Sequence, residues 1–303
     1  MTHQLAIVIP AYKTAFLSTA LDSIAAQTCK DFTLYIGDDC SPEPIGNIVE
    51  QYQDKMSLVY QRFDSNMGGR DLVAQWERCI SMSQSEPYIW LFSDDDVMEQ
   101  NCVEELFKYI EKTKCYYDVY HFDVNEINEQ GKVTRVLPAY PQVLSAYDYY
   151  CGKFSGRYRS YVVENVFSRK VYEEKGGFKH FDLAWGSDVA TWCIFSREKG
   201  MFKIPNARIN WRRSTYNITP IKTRTFSERK IIALCNFFNW SFLFFNDEED
   251  IFIVNRKSFI RRMRGCKKQI SMRCFHNAFC IFYSNHGSSI DKVLTFLKIV
   301  LFK

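Results

Sequence analysis

Three consecutive carboxylates, Asp94, Asp95 and Asp96, follow an apolar run at 88–92 that predicts a buried strand. Three like charges at a strand end repel one another and are costly to desolvate without a cation or strong donors. Mg²⁺ or Mn²⁺ held by one or two carboxylates keeps its other positions for water and substrate phosphate oxygens. The run therefore indicates a metal-diphosphate site, although one acid could serve only to cap the helix predicted at 101–114.

Strand-like runs alternate with helix-like runs through the first 115 residues. Apolar runs predict strands at 5–10, 32–37, 57–63 and 88–92, and helical spacing of apolar residues predicts helices at 16–27, 45–52 and 72–82. This alternation is typical of an α/β fold with an open, mainly parallel sheet flanked by helices. Ligands bind beyond the carboxyl ends of strands in such sheets, so Asp38-Asp39 and the Asp94–Asp96 run are expected to meet in one crevice.

The pattern changes after residue 115. Strand-like segments and turns fill 119–141 and 161–167, and helices are predicted at 170–175 and 189–199. The segment Trp185-Gly186-Ser187-Asp188 stands directly before the second of these helices. We therefore divide the chain into a first half at 1–115, a second half at 116–225 and a helical tail at 226–303.

The tail is strongly basic. From Ile251 onward there are eleven lysine and arginine residues but a single acid, Asp291, a net charge of +10 within a chain whose formal net charge is +4. Aromatic residues precede the basic cluster, and this combination is typical of a surface that meets anionic lipid. Two alternatives exist: the aromatics pack the tail on the body, or the tail binds nucleic acid. No nucleic-acid motif is present, so no nucleic acid is expected.

Eleven cysteines are scattered along the chain without a CxxC pair, which favours reduced thiols over a disulfide framework or a zinc site. The N-terminus lacks the basic region of a signal peptide, and the longest apolar stretch is too short to span a bilayer. We expect a cytoplasmic protein that contacts the inner face of the cell membrane peripherally.

The order of motifs resembles family 2 of the inverting nucleotide-sugar glycosyltransferases, which have the GT-A fold. The resemblance covers about residues 5 to 220 and rests on four segments, at 7–12 (IVIPAY), 36–41 (IGDDCS), 91–96 (LFSDDD) and 176–188, which holds Gly-Gly-Phe and then Ser187-Asp188. Three positions depart from the family pattern. Lys13 replaces an asparagine, Ser93 replaces the first aspartate of the acidic run, and Ser187 replaces a glutamate.

The resemblance makes 1–115 the nucleotide-binding half and 116–225 the acceptor-side half. It implies a nucleotide-sugar donor, with a UDP-sugar favoured, and a divalent Mn²⁺ or Mg²⁺ bound by Asp95 and Asp96. The residues it assigns to the donor are Pro10, Ala11, Tyr12, Asp39, Arg70 and Asp94. Asp38 could instead bond turn amides.

Asp188 is the candidate general base that would take the proton of an acceptor hydroxyl, with inversion at the sugar carbon. The acceptor implied is a glycan or lipid-linked saccharide of surface polysaccharide synthesis. Asp188 could instead be only the N-cap of its helix. Arg212 and Arg213 could donate to the diphosphate or form a solvated pair, and Trp185 could stack on an acceptor sugar or belong to the core.

Two other functions compete with this one. A sugar nucleotidyltransferase also has a metal-diphosphate site, but it needs a glycine-rich phosphate loop after the first strand, and residues 10–13 supply none. A non-catalytic peripheral membrane protein with a decayed site is favoured by Ser93 and Ser187. Hydrolysis of a nucleotide sugar in vitro would separate the enzyme from the decayed site.

Overall fold

A computed structural model describes residues 3–215, 223–284 and 286–301. Its strands are β1 (Leu5–Ala11), β2 (Phe32–Asp38), β3 (Leu58–Arg62), β4 (Tyr88–Leu91), β5 (Val97–Met98), β6 (Val119–Ile127), β7 (Val133–Val136), β8 (Val143–Leu144), β9 (Asn165–Ser168) and β10 (Met201–Arg212). Its helices are α1 (Leu17–Ala25), α2 (Ile45–Val49), α3 (Leu72–Ile80), α4 (Cys102–Lys112), α5 (Ala146–Ser155), α6 (Arg169–Lys175), α7 (Ser187–Ser196), α8 (Arg224–Phe244), α9 (Ile251–Cys266), α10 (Met272–Phe282) and α11 (Ser289–Leu301).

The ten strands form one sheet, and its main path runs β3-β2-β1-β4-β9-β6-β10-β5. In the first half, β3, β2, β1 and β4 are parallel, with Ile7 of β1 opposite Leu34 and Trp90. The second half is mixed, because β9 runs antiparallel to β4 and β6 while β6 and β10 are parallel. The predicted α/β class with an open sheet is confirmed, and the parallel part lies in the first half.

Alternate residues of each central strand enter two cores, one on each face of the sheet. Ala6 and Val8 pack with α3 and α7, whereas Leu5, Ile7 and Ile9 pack with α1 and α4. This is why the central strands are apolar throughout rather than alternating. The sheet is thus fixed from both faces, and its strand ends are held rigidly enough to position side chains.

The tail packs into the same core as α5 and α7. The phenyl rings of Phe237, Phe238, Phe242 and Phe245 are buried there, so the expectation that these aromatics are exposed is wrong and the packing alternative holds for them. A buried hydrogen-bond network reinforces the contact, since the hydroxyl of Tyr150 on α5 reaches residues of α8 and α9.

All eleven cysteines are free thiols, five of them buried as small core residues. Within the described ranges, no helix is long and apolar enough to cross a membrane.

Candidate active site

Asp94 joins the ends of two neighbouring parallel strands. It follows β4, and its Oδ2 accepts hydrogen bonds from the backbone amides of Tyr12 (2.9 Å) and Lys13 (3.0 Å), just beyond β1. Burial and the neighbouring Asp95 carboxylate raise the pKa of Asp94 to about 6. The structure therefore brings together Asp94 and the segment around Ala11 and Tyr12, which the sequence assigned to one donor site.

The other two acids of the run face different partners. The Ser93 hydroxyl donates to Asp95, and the Arg212 backbone amide donates to Oδ1 of the buried Asp96 at 2.6 Å. Burial raises the pKa of Asp95, against the Ser93 hydrogen bond. Burial and then the Asp95 charge hold the pKa of Asp96 well above its usual range. Three carboxylates with raised pKa values in one place are a site that a cation would stabilise.

Arg212 is the last residue of β10 and is 1% exposed, so the alternative of a solvated pair is wrong for it. Its guanidinium donates to the carbonyl oxygens of Asp95 (2.7 Å), Asn128 (2.9 Å) and Glu129 (3.0 Å) and lies over the ring of Phe16. One nitrogen, Nη2, has no hydrogen-bond partner among the described residues. The guanidinium thus braces the loop that carries the acids through carbonyl groups rather than through their carboxylates.

The chemistry of this donor set fits a divalent metal. Asp95 and Asp96 supply hard carboxylate oxygens, while the guanidinium of Arg212 donates to carbonyl oxygens of Asp95, Asn128 and Glu129. Among the described residues, no group of three or more metal-binding side chains is arranged to enclose an ion. An ion that takes its remaining ligands from water and a diphosphate needs only one or two carboxylates.

Asp39, at the end of β2, is also buried, and protein donors surround it. It accepts from the amides of Met67 (2.6 Å) and Gly68 (2.8 Å) and from the side chains of Asn66 (3.0 Å) and Arg78 (2.7 Å). A carboxylate has about four acceptor positions, so these donors fill them. A bond from Asp39 to the nucleotide base or ribose stays a prediction, and it requires one of these donors to move away.

Asp38 serves the fold. Its oxygens accept from the Ser41 amide (2.8 Å), the Tyr60 hydroxyl (2.8 Å) and the Arg62 guanidinium (2.7 Å). The alternative in which Asp38 bonds a turn amide is therefore correct, and the side chain fixes the loop that follows β2.

Helix α3 connects the two halves of the site. Arg78 bonds Asp39, while the adjacent Glu77 accepts the Phe178 amide at 2.6 Å. A Cβ on Gly177 would lie 2.5 Å from the Glu77 carboxylate, and Gly177 has a φ of +83°, so the glycine is required there. The roles of Glu77 and Arg78 could not be predicted from the sequence, because two charged residues on an amphipathic helix are typical of a solvated face.

Asp188 lies in the first turn of α7 and is not its N-cap. Gly186, with a φ of +96°, occupies the N-cap position without a side-chain cap, so the capping alternative is wrong. Burial raises the pKa of Asp188, and the nearby Lys153 ammonium opposes this. Ser187, where the family has glutamate, is buried and its hydroxyl accepts the Phe181 amide at 2.9 Å. Ser187 therefore positions the loop before Asp188.

Strand β9 relates Asp188 to the acidic run. The Trp90 indole of β4 donates to the carbonyl of Val163 at 2.7 Å, which places the start of β9 beside the strand end that leads to Asp94. Glu164 follows at once, and Lys153 lies close enough to Glu164 and Asp188 to lower the pKa of each. This chain of neighbours leads from the acidic run to Asp188.

The remaining residues that the sequence singled out for donor or acceptor contacts are Arg70, Tyr12 and Trp185. Arg70 lines a cavity of about 190 Å³ with the loop at 180–183, which precedes Asp188, and its contact with the donor stays a prediction. The ring of Tyr12 is partly exposed, as a surface for a base would be. Lys230 lies over the ring of Trp185, so a cation already occupies one face of that indole.

The structure resembles solved glycosyltransferases over nearly its whole length. It matches Staphylococcus aureus TarS 1–349 in complex with UDP-GlcNAc with a TM-score of 0.59 at 13% identity, covering 97% of this chain and 89% of that one. It matches the mannosyltransferase PcManGT from Pyrobaculum calidifontis, in complex with GDP-Man and Mn²⁺, with a TM-score of 0.55 at 11% identity, covering 98% and 84%. These matches and the strand order define a GT-A fold.

The chain belongs to glycosyl transferase family 2, whose description matches residues 6–174. In sequence it is 27% identical over 136 residues to the poly(ribitol-phosphate) β-N-acetylglucosaminyltransferase TarS of Staphylococcus aureus, a match that covers 44% of this chain and 22% of TarS. The chain thus spans under half the length of that curated relative.

Proposed function

We propose that the chain transfers a sugar, with inversion, from a nucleotide-diphosphate sugar to the hydroxyl of a saccharide acceptor. The observation that carries this proposal is the three-carboxylate run at the end of β4, braced by Arg212 and tied to the end of β1 by Asp94. Asp188, in the first turn of α7 after an N-cap without a side-chain hydrogen bond, would supply the base. A site that stabilises the leaving diphosphate and a carboxylate base for the acceptor hydroxyl are what glycosyl transfer needs.

The donor would lie along the ends of β1 and β4. Its base would meet the exposed ring of Tyr12, and its diphosphate would meet a divalent ion held by Asp95 and Asp96. When bound, that ion would neutralise charge that grows on the leaving diphosphate. Asp94 and Arg212 would keep the carboxylates in place.

Asp188 would accept the proton of the acceptor hydroxyl. Burial raises the pKa of Asp188 toward neutral pH, which favours general-base catalysis, and the Lys153 ammonium opposes part of that shift. Attack from the side opposite the leaving group by a hydroxyl deprotonated in this way inverts the anomeric carbon.

The comparisons support a class of donor and acceptor. TarS was solved with UDP-GlcNAc and PcManGT with GDP-Man and Mn²⁺, so a nucleotide sugar with a divalent metal is the donor to test, with a UDP-sugar first. TarS is named for transfer to poly(ribitol-phosphate), a polymer with many hydroxyl groups, and this supports a glycan or lipid-linked saccharide of surface polysaccharide synthesis as the acceptor to test.

A donor screen tests this function. We expect one UDP-sugar or related donor to bind and to be hydrolysed slowly, and both effects to need Mn²⁺ or Mg²⁺. Binding and hydrolysis of no donor in the panel, with metal present, would favour the decayed, non-catalytic alternative. Release of diphosphate from a nucleoside triphosphate and a sugar phosphate would instead favour a nucleotidyltransferase.

A membrane contact belongs to the same proposal, but on α11 rather than on the buried aromatics. Seven apolar side chains of this helix are exposed: Ile290, Val293, Leu294, Phe296, Leu297, Val300 and Leu301. The lone acid of α11, Asp291, is paired with Arg256, which leaves Lys292 and Lys298 as its other charges. An exposed apolar helix flanked by cations suits an anionic lipid surface.

A further inference from the structure

Residues 181–186 form a strained turn, the acceptor turn, shortly before Asp188. Leu183 and Ala184 follow one another in it with φ values of +58° and +54°, in the left-handed region. That region is unfavourable for residues with a Cβ, and they visit it as single residues rather than in pairs. Backbone strain of this kind persists only where the surrounding structure holds it, and it is concentrated at functional sites.

Helix α8 of the tail holds the acceptor turn from one side. The guanidinium of Arg229 donates to both oxygens of Asp182, from Nη2 to Oδ1 at 2.6 Å and from Nε to Oδ2 at 2.9 Å. Two parallel bonds to one carboxylate fix its direction as well as its distance. Further along α8, the ring of Phe237 packs on the backbone of Gly186, where a Cβ would lie 2.8 Å from the ring. The tail therefore contacts the acceptor turn near its beginning and at its end.

The acceptor turn is joined directly to the helix that carries Asp188. The backbone amide of Phe181 donates to the hydroxyl of Ser187 at 2.9 Å, which closes the turn onto the first residue of α7. Within the turn, the amide of Ala184 donates to the carbonyl of Phe181 at 3.0 Å. Since Asp188 follows Ser187 in the chain, a shift of the turn also moves the candidate base.

On its other side the acceptor turn borders a cavity of about 190 Å³, which it shares with Arg70 and Asp71 of the first half. The turn has space to shift there when α8 no longer holds it, and the strain in its backbone favours such a shift. The ion pair between Arg229 and Asp182 is partly exposed on both sides, and exposed pairs add little to the stability of a fold. The pair therefore acts on the position of the turn more than on stability.

We infer that Arg229 is a positioning residue for the reaction, which holds the acceptor turn so that the Asp188 carboxylate stays in place to accept the proton of the acceptor hydroxyl. This inference rests on the proposed function, and it gives the tail a part in catalysis. Loss of the two bonds from Arg229 should lower the rate of the step in which Asp188 acts and leave the affinity for the donor unchanged.

Hydrogen exchange of the full chain tests whether Arg229 holds the turn. In Arg229→Gln, the amides at 181–188 should exchange at least about fivefold faster than in wild type, because the turn opens more often. Arg229→Lys keeps the charge and one donor and should recover part of the protection. Arg256→Gln is the matched control, since it breaks an ion pair of the tail with Asp291 and should leave exchange at 181–188 unchanged. Equal exchange in wild type and Arg229→Gln would overturn the inference, and so would faster exchange over the whole chain, which is a general loss of stability.

Hydrolysis of the donor tests whether the turn acts through Asp188. The assay uses Mn²⁺ and the donor that the panel selects, with water in place of the acceptor hydroxyl, and measures release of the nucleoside diphosphate. Arg229→Gln should lower kcat at least about tenfold, because a small displacement of a catalytic group is costly, while KM for the donor stays unchanged. In Asp188→Asn, the same substitution should lower kcat by less than about twofold further, because the residue through which Arg229 acts is already lost.

The same loss of kcat with and without Asp188 would overturn the inference, since Arg229 would then act independently of the base. A rise in KM at unchanged kcat would overturn it too, because the turn would then serve donor binding. If wild type hydrolyses no donor, or Asp188→Asn hydrolyses it equally fast, the proposed function itself fails. Exchange at 181–188 needs no donor, so it decides separately whether Arg229 holds the turn.

Discussion

The donor side and the acceptor side of the crevice hold their charges in opposite ways. On the donor side, Asp39 and Asp94 are satisfied by amides and side chains of the neighbouring loops. On the acceptor side, Glu164 has one oxygen without a hydrogen-bond partner, and Lys153 and Arg262 have no ion pair, in the ranges that the structure describes. Protein donors thus satisfy Asp39 and Asp94, whereas one oxygen of Glu164 has no such donor in those ranges.

This difference indicates which side is preformed. Asp39 and Asp94 act first as braces that fix the strand ends, because their oxygens accept hydrogen bonds from neighbouring loops. Acceptor-side charges without a partner destabilise the folded chain until a ligand binds. Charged groups with shifted pKa values are typical of functional sites. We therefore expect donor-side mutations to weaken binding of the donor. Acceptor-side mutations should instead change the rate of transfer and the dependence of stability on pH.

The largest expected effect is that of Asp188→Asn. A general base acts in the transition state and contributes little to donor affinity, so transfer should fall by at least about 100-fold while donor binding stays unchanged. Turnover with a saccharide acceptor and calorimetry with the donor measure the two quantities. Asp64→Asn, which changes an exposed acid of the first half, is the control and should keep most of the transfer activity. Turnover of Asp188→Asn within about tenfold of wild type would exclude the base role.

The next largest effect expected is that of Asp95→Asn on the metal-dependent binding of the donor. The amide keeps the size of the side chain but removes a charge that a divalent ion requires, so metal-dependent donor affinity should fall by at least about 100-fold. Titration of the donor with and without Mn²⁺ checks this, with the exposed Asp64→Asn as the matched charge control. Retained metal-dependent affinity in Asp95→Asn would move the metal to another carboxylate.

Glu164 tests the acceptor side through pH. Burial raises its pKa from 4.5 to about 7, so between these values the folded chain keeps a proton that the unfolded chain has lost. The contribution of Glu164 to stability therefore falls as pH rises from 4.5 to 7. Glu164→Gln should remove this loss and stabilise the fold at pH 8, relative to wild type, by on the order of 1–3 kcal/mol more than at pH 4.

Urea unfolding of wild type and Glu164→Gln at pH 4 and pH 8 measures that difference. Glu173→Gln, which changes an exposed carboxylate on α6, is the control and should show no such pH dependence. A Glu164→Gln variant whose effect is the same at both pH values would mean that Glu164 is ionised in the fold.

Much of the fold could be predicted because apolar runs and helical spacing are strong where an element is buried on one or two sides. Helix α5 was missed because aromatic residues lie on several of its faces, as at Tyr149, Tyr150 and Phe154, so it lacks a single apolar stripe. The burial of Arg212 could not be predicted because an adjacent pair of arginines is typical of a solvated loop, whereas the alternation of β10 buries Arg212 and exposes Arg213.

In the tail, composition predicts the charge but not the positions or partners of the basic residues. Its net charge predicts a basic surface, but Arg264 and Lys267 donate to the last carbonyls of α11 and Arg261 donates to the end of α5. These cations satisfy orphan carbonyls at helix ends, which only the packed structure reveals.

The smallest effect expected is on membrane binding, which extends the comparison to the outer surface of the tail. Ile290 and Leu294 lie one turn apart on α11, 71% and 47% exposed, while Thr295 and Ile299 face inward. Wild type should co-sediment with phosphatidylglycerol vesicles but not with phosphatidylcholine, and it should be released at high salt because screening weakens the attraction of the basic residues. The double variant Ile290→Ser/Leu294→Ser should bind at least about fivefold more weakly, since two apolar side chains no longer enter the lipid.

Leu243→Ser removes an equally exposed apolar side chain from α8 and should bind as wild type does. Equal sedimentation of all three proteins, or none by wild type, would contradict the lipid contact, and a dimer that the α11 substitutions dissociate without lipid would assign the apolar face to a second copy of the chain.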